Sequence, residues 1–217
     1  MKKLLTTVFG FLSFTGVFAQ QPVSEATLVY AITVNGADEN MSRSFRGATY
    51  TVYLKGTESR TEMTSSLGTE TSIYSGRLGK GAVLKEYSGQ KLMITLSKQN
   101  WVEKNRTFHD LHFSTGGSSV RIGQFEAFPA ETVLEGKPFT VFYSKTAALP
   151  NTSYNNAFGN IKGIPVKFVL GSKNMSFTYT LTSVNFDVIP SSKFEIPNAG
   201  YRVMSYDENQ KLKTENR

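Results

Sequence analysis

From Leu28 to Val34 every second residue is apolar: Leu28, Tyr30, Ile32 and Val34 share one face. A period of two over this length predicts a β-strand with one half-buried face. The same alternation returns at Tyr50, Val52 and Leu54. A Leu-Lys-Gly-Thr-Glu turn then reverses the chain into Ser59–Met63, where Glu58, Arg60 and Glu62 face solvent, and the two runs predict a hairpin. Thr71–Ser75, Ala82–Tyr87 and Lys91–Leu96 follow as strands, punctuated by Gly76, Gly79, Gly81 and the Tyr-Ser-Gly-Gln-Lys turn. Val120–Phe128, Glu131–Leu134, Phe139–Tyr143 and Ile164–Leu170 continue the series. A last run places Met175, Phe177, Tyr179 and Leu181 on one face. Its apolar parity then changes to Val184, Phe186 and Val188, so a continuing strand needs a bulge or bend near Ser183. Pro165 has no N–H to donate and fits the first residue of a strand or an edge. Short strands separated by turns at this spacing predict an antiparallel meander.

Three stretches break the alternation. Residues 35–47 are polar and read as a loop. In 97–113 the period of two is lost, and Ser97 is placed to cap a helix that carries Trp101, Val102 and Phe108 inward. The segment 145–156 is a long loop on its composition.

The first residues have their own pattern. Lys2 and Lys3 precede an apolar run from Leu4 to Val17, and Val17 and Ala19 are small residues before a polar segment. This predicts a secretory signal over residues 1–19, with cleavage after Ala19 and a periplasmic or secreted product beginning at Gln20. No later stretch reaches spanning length, so no transmembrane segment is expected in the mature chain. One β domain is expected over residues 20–202, followed by a polar, frayed tail over 203–217.

Composition narrows the chemistry. The chain of 217 residues is 12% aromatic and only 19% charged, which argues against disorder. Its formal charge of +7 is scattered rather than interleaved with aromatics, so nucleic acid is not an expected partner. Without any cysteine there is no disulfide, no thiolate nucleophile and no acylated cysteine to anchor the chain. No nucleophile elbow, zinc-binding helix, P-loop or dinucleotide fingerprint is present. His109 and His112 are spaced to share one helical face beside Asp110, yet no third ligand stands at a diagnostic spacing. The acid pairs Asp38-Glu39 and Asp207-Glu208 lie in polar segments and read as solvated. A non-enzymatic protein without cofactor or metal is therefore expected. Trp101 reads first as a core anchor and second as a ligand contact.

The C-terminal third carries a resemblance. The stretch IKGIPVKF, the strand MSFTYTLTSVNF and the ending IPSSKFEIPNAGYR resemble exported bacterial proteins of the LolA-like group. The earlier ETVLEGKPFTVFY and LSKQNW are similar to that group's strand pair and helix start, so the resemblance covers Ala26 to Arg202. It implies a strongly curved antiparallel sheet, an open half-barrel, with one or few helices across the concave side. The known carriers of the group hold lipoprotein acyl chains between sheet and helices. The implied function is an exported protein carrying a lipid, acyl chain or other apolar ligand in the cell envelope. The rival is a module with a filled core that works through an envelope protein partner. Tyr30, Val52, Phe177 and Tyr179 are the candidate cavity residues on the sheet, with Trp101 and Phe108 arriving from the helix.

Overall fold

The computed structural model describes residues 24–149, 158, 160–171 and 175–215. The predicted signal and its cleavage point, most of the long loop after residue 149, and most of the turn after Gly171 lie outside the described residues.

The strands are β1 (Glu25–Asn35), β2 (Thr49–Lys55), β3 (Glu58–Ser65), β4 (Gly68–Ser75), β5 (Lys80–Tyr87), β6 (Gln90–Ser97), β7 (Ser114–Thr115), β8 (Val120–Ile122), β9 (Phe125–Leu134), β10 (Lys137–Ser144), β11 (Ile164–Gly171), β12 (Ser176–Asn185) and β13 (Arg202–Ser205). They lie in the order β13-β6-β5-β4-β3-β2-β1-β12-β11-β10-β9-β7, with β8 paired to β9. The sheet does not close on itself. It consists of two antiparallel meanders, β1 to β6 and β9 to β12, joined where β1 pairs with β12.

The sheet curls. The Tyr30 hydroxyl on β1 donates to the Pro165 carbonyl on β11, at 2.9 Å, reaching past the intervening β12. Gln124, in the turn before β9, donates to Thr182 O on β12 at 3.2 Å, although β10 and β11 separate those strands. Two bulges bend neighbouring strands near the seam. The pairing of Val29 with Ser183 and of Tyr30 with Leu181 leaves Thr182 as the extra residue of β12. This is the bulge that the change of parity near Ser183 requires, and it keeps Leu181 and Val184 on one face. The second bulge leaves Val166 extra in β11, beside Pro165, which sits second in its strand. There the missing N–H of the proline is tolerated. Gly163 in the preceding turn lies so close to β10 that a Cβ would stand 2.3 Å from Ser144 O. The Gly-Ile-Pro-Val sequence is thus a close approach, a buried side chain, a proline and the bulge residue in succession.

Several expectations are corrected. The polar loop 35–47 contains helix α1 (Glu39–Ser44), capped by Asp38 Oδ1 accepting from Met41 N at 2.8 Å. The predicted helix is short: α2 (Lys98–Lys104) is followed by a 3-10 turn at Arg106–Phe108. Ser97 does cap it, with Asn100 returning the bond, an arrangement worth about 1 kcal/mol. Val102 faces water rather than the core, because a helix of about two turns at the sheet end has only a narrow buried side. Val120–Phe128 is not one strand but a hairpin turning at Gly123-Gln124, and β9 runs on through Pro129 to Leu134. The tail expected to fray is regular structure through Glu215. β13 pairs with β6, in parallel, and leads into helix α3 (Tyr206–Glu215), anchored by the buried Tyr206.

Among the described residues four apolar clusters hold the sheet. The largest joins Leu28, Tyr30, Val52, Val141, Val166 and Phe168 to Leu111, Phe113, Phe158 and Ile161, which fold over β9 to β12. A second packs Trp101 and Tyr206 on Tyr74, Val83, Ile94 and Leu96. A third groups Ile73, Ala82, Leu84 and Met93 on the other face, and a fourth groups Ile32, Phe45 and Ala48.

Candidate functional site

Residues opposite each other in an antiparallel ladder point to the same side. The register therefore defines an inner face, the one covered by α2 and the segment 105–113. One row across it reads Tyr30, Tyr50, Met63, Glu70, Lys85 and Leu92. The adjacent row reads Leu28, Val52, Thr61, Ser72, Val83 and Ile94. At one end these rows enter the large cluster, and at the other the Trp101 cluster. Between the two, Tyr50, Met63, Glu70, Ser72 and Lys85 are only half-buried. This strip is a half-buried band between two closed cores, and Tyr50 and Met63 in it also pack on the Ile32, Phe45 and Ala48 cluster.

Its walls are aromatic. Tyr179 stacks on Phe168 at 4.8 Å between ring centres and meets Tyr50 edge-on at 5.3 Å. Phe177 meets Phe45 edge-on at 5.2 Å. Its floor is polar toward β4 and β5. Lys85 Nζ lies 3.2 Å from Glu70 Oε2, and the Tyr87 hydroxyl donates to the same oxygen at 3.4 Å. Lys104 of α2 brings its ammonium over the Trp101 ring, 5.4 Å from the centre.

The environment perturbs these groups. Burial, then the charge of Glu70, pushes the Tyr179 hydroxyl up to about 12. Burial likewise raises Tyr87 to about 12, with Glu70 adding to it. Tyr50 is raised further by burial and by Tyr179, against a hydrogen bond with Thr61. Lys104 is exposed at its own surface but recessed among neighbouring atoms, and this desolvation lowers its ammonium below the ordinary value, with Glu70 opposing. These perturbed groups gather on one stretch of the inner face, which makes it the candidate site.

The six candidate residues divide. Tyr30 and Val52 are each 1% exposed and belong to the filled core, so they offer a ligand no surface. Trp101 stacks face to face on Tyr74, at 4.4 Å, and is an anchor for α2. Phe108 is half-buried and packs on the large cluster. Phe177 and Tyr179 are half-buried beside this strip and pack on the Ile32, Phe45 and Ala48 cluster. Tyr50, Met63, Glu70, Lys85, Tyr87 and Lys104 were not among the candidates. Their signal in the sequence is the parity of Tyr50, carried across three hairpins by the turns. His109 and His112 do not share a helical face, because Asp110 takes φ 63 and the helix has already ended. His109 Nδ1 contacts Asp110 Oδ2 at 2.8 Å. Among the described residues no group of three acids or histidines is placed to hold a metal ion. None of the described helices is long and apolar enough to cross a membrane.

No protein-family model matches the chain, and no curated protein matches it. Solved structures similar to it include one of the LolA superfamily, the group that its C-terminal third resembles. That structure is NE2245 from Nitrosomonas europaea: TM-score 0.36, 13% identity, covering 82% of this chain and 92% of the other. LprF from Mycobacterium bovis gives TM-score 0.33 at 10% identity, covering 76% of this chain and 87% of the other. PNGF-II gives TM-score 0.45 at 10% identity over 89% of this chain, which spans 33% of PNGF-II. Likeness at these scores leaves the reading of the site to its own residues.

Proposed function

We propose that the chain is an exported, non-enzymatic binding protein that holds an amphiphilic ligand in the inner groove. The observation that carries this reading is the half-buried strip between two closed cores. An apolar tail lies along Met63, Tyr50, Tyr179 and Phe177, and a polar head reaches Lys85, Glu70 and Lys104. Each methylene buried there contributes about 0.8 kcal/mol. The filled core beneath Leu111, Phe113, Phe158 and Ile161 favours a second reading, an interaction module without ligand.

The test is fluorescence titration of detergent-free protein with the neutral probe N-phenyl-1-naphthylamine, beside native mass spectrometry for co-purified amphiphile. The wild type binds the probe. Met63→Asp and Phe177→Asp abolish binding, since a carboxylate in the groove is desolvated. Thr178→Asp, on the opposite face of β12, leaves binding intact, and circular dichroism confirms that each variant folds. A wild type that neither binds the probe nor carries an amphiphile overturns the carrier reading in favour of the interaction module.

A further inference from the structure

The outer face holds a cleft of about 830 Å3 at the opposite side of the same strands. Sites for small organic molecules fall in the range of about 300 to 1,000 Å3. One row of the ladder, Lys55, Glu58, Ser75 and Lys80, forms its rim on the sheet. Buried Ile73 is its floor. The stretch after β12 crosses this face as a strap, with a 3-10 turn at Ser191–Phe194, and supplies the far wall through Phe194 and Ile196.

Two features of the cleft are unspent. Leu78 on the turn wall is 58% exposed and Ile196 on the strap wall 37% exposed, so large apolar side chains from both walls stand in water. The charges are uneven as well. Lys55 is engaged by Glu25 at 3.0 Å and by the Ile189 carbonyl at 2.7 Å. Glu58 accepts from the Ser75 hydroxyl at 2.8 Å. The side chains of Arg77, on the turn, and Lys80, beside it on the sheet rim, make no ion pair or hydrogen bond among the described residues. Glu195, their one counter-charge in the cleft without such a bond, belongs to the strap wall. The turn that carries Arg77 and leads into Lys80 is held in place. Ser75 Oγ accepts from Leu78 N at 3.1 Å, and Ser75 O accepts from Gly79 N at 2.8 Å.

We infer that this cleft is a second binding site, for a small organic anion whose apolar body lies between Leu78, Ile73, Phe194 and Ile196. Its carboxylate, phosphate or sulfonate sits against Arg77 and Lys80, away from Glu195. The cleft and the inner groove lie on opposite sides of the sheet, so the two ligands do not compete for space.

Two probes with nearly the same apolar body separate the sites: anionic 1-anilinonaphthalene-8-sulfonate and neutral N-phenyl-1-naphthylamine. The full chain binds the sulfonate, and the double variant Arg77→Glu/Lys80→Glu weakens it by about tenfold or more while the neutral probe is unaffected. Ile196→Trp, which fills the cleft, also reduces sulfonate binding, whereas Met63→Asp spares it. Sulfonate affinity within about twofold of wild type in the charge-reversed variant overturns the inference. So does loss of both probes together in Met63→Asp with folding intact, which assigns the anion to the inner groove. Failure of the neutral probe alone in the wild type counts against the inner-groove reading and leaves this one standing.

Discussion

Tyr179 is the side chain whose ionisation tests the inner groove most directly. Its hydroxyl lies among Phe168, Tyr50 and the charge of Glu70, and burial moves it from 10.0 to about 12. In the unfolded chain it ionises near its ordinary value, and in the folded chain only near 12. The folded value is raised, so the contribution to stability is fully present below about pH 10 and is lost as pH climbs through 12. The complete difference corresponds to about 2.7 kcal/mol, of which about 1.4 kcal/mol is gone at pH 11. Phenylalanine keeps the ring and cannot ionise. Urea unfolding, followed by the fluorescence of Trp101, is measured at pH 8 and pH 11 for the wild type and Tyr179→Phe. The wild type loses more stability than the variant over this interval, by about 1.4 kcal/mol. Tyr87 titrates in both proteins and cancels in the difference. Equal losses refute the claim that this hydroxyl is buried in a low-dielectric groove.

Two further substitutions probe the curl of the sheet. Tyr30→Phe removes the bond to Pro165 O and leaves a buried carbonyl short of a partner, costing about 1 to 3 kcal/mol in chemical denaturation; a change below about 0.5 kcal/mol contradicts the role given to that bond. Gly163→Ala forces a methyl group against Ser144 O and the Tyr143 ring, and lowers the thermal midpoint through a loss of about 1 to 3 kcal/mol; an unchanged midpoint shows that the turn can shift away from β10.

The strands were legible because one face of each is buried, and burial of one face writes a period of two into the sequence. The bulge at Thr182 was legible for the same reason, as a break in parity between Leu181 and Val184. Helix α1 was not, since none of its residues is buried and it shows no apolar stripe. A capping aspartate and the Glu39–Arg43 pair at 3.5 Å mark it instead. Helix α3 was hidden likewise, with Tyr206 as its one buried residue. The polar floor of the groove was missed because Glu70 and Lys85 read as solvent positions in isolation. Only the register, which brings them opposite each other between Met63 and Leu92, turns them inward. Trp101 and Tyr30 are candidates by their place on the helix and on the alternating face, and an inward position does not separate a wall that meets a ligand from one that meets its own core.

The parallel strand β13 has a consequence for how the sheet is finished. Strand β6 carries Leu92, Met93, Ile94 and Leu96 and would otherwise end the sheet as an open ladder eight residues long. Its cover is made from residues 202–205, more than a hundred positions later, and is latched by Tyr206 entering the Trp101 cluster. Until that late segment arrives, β6 presents its unpaired N–H and C=O groups to any other chain in the same condition. The late segment thus exchanges an open edge eight residues long for one of four, too short to template much pairing.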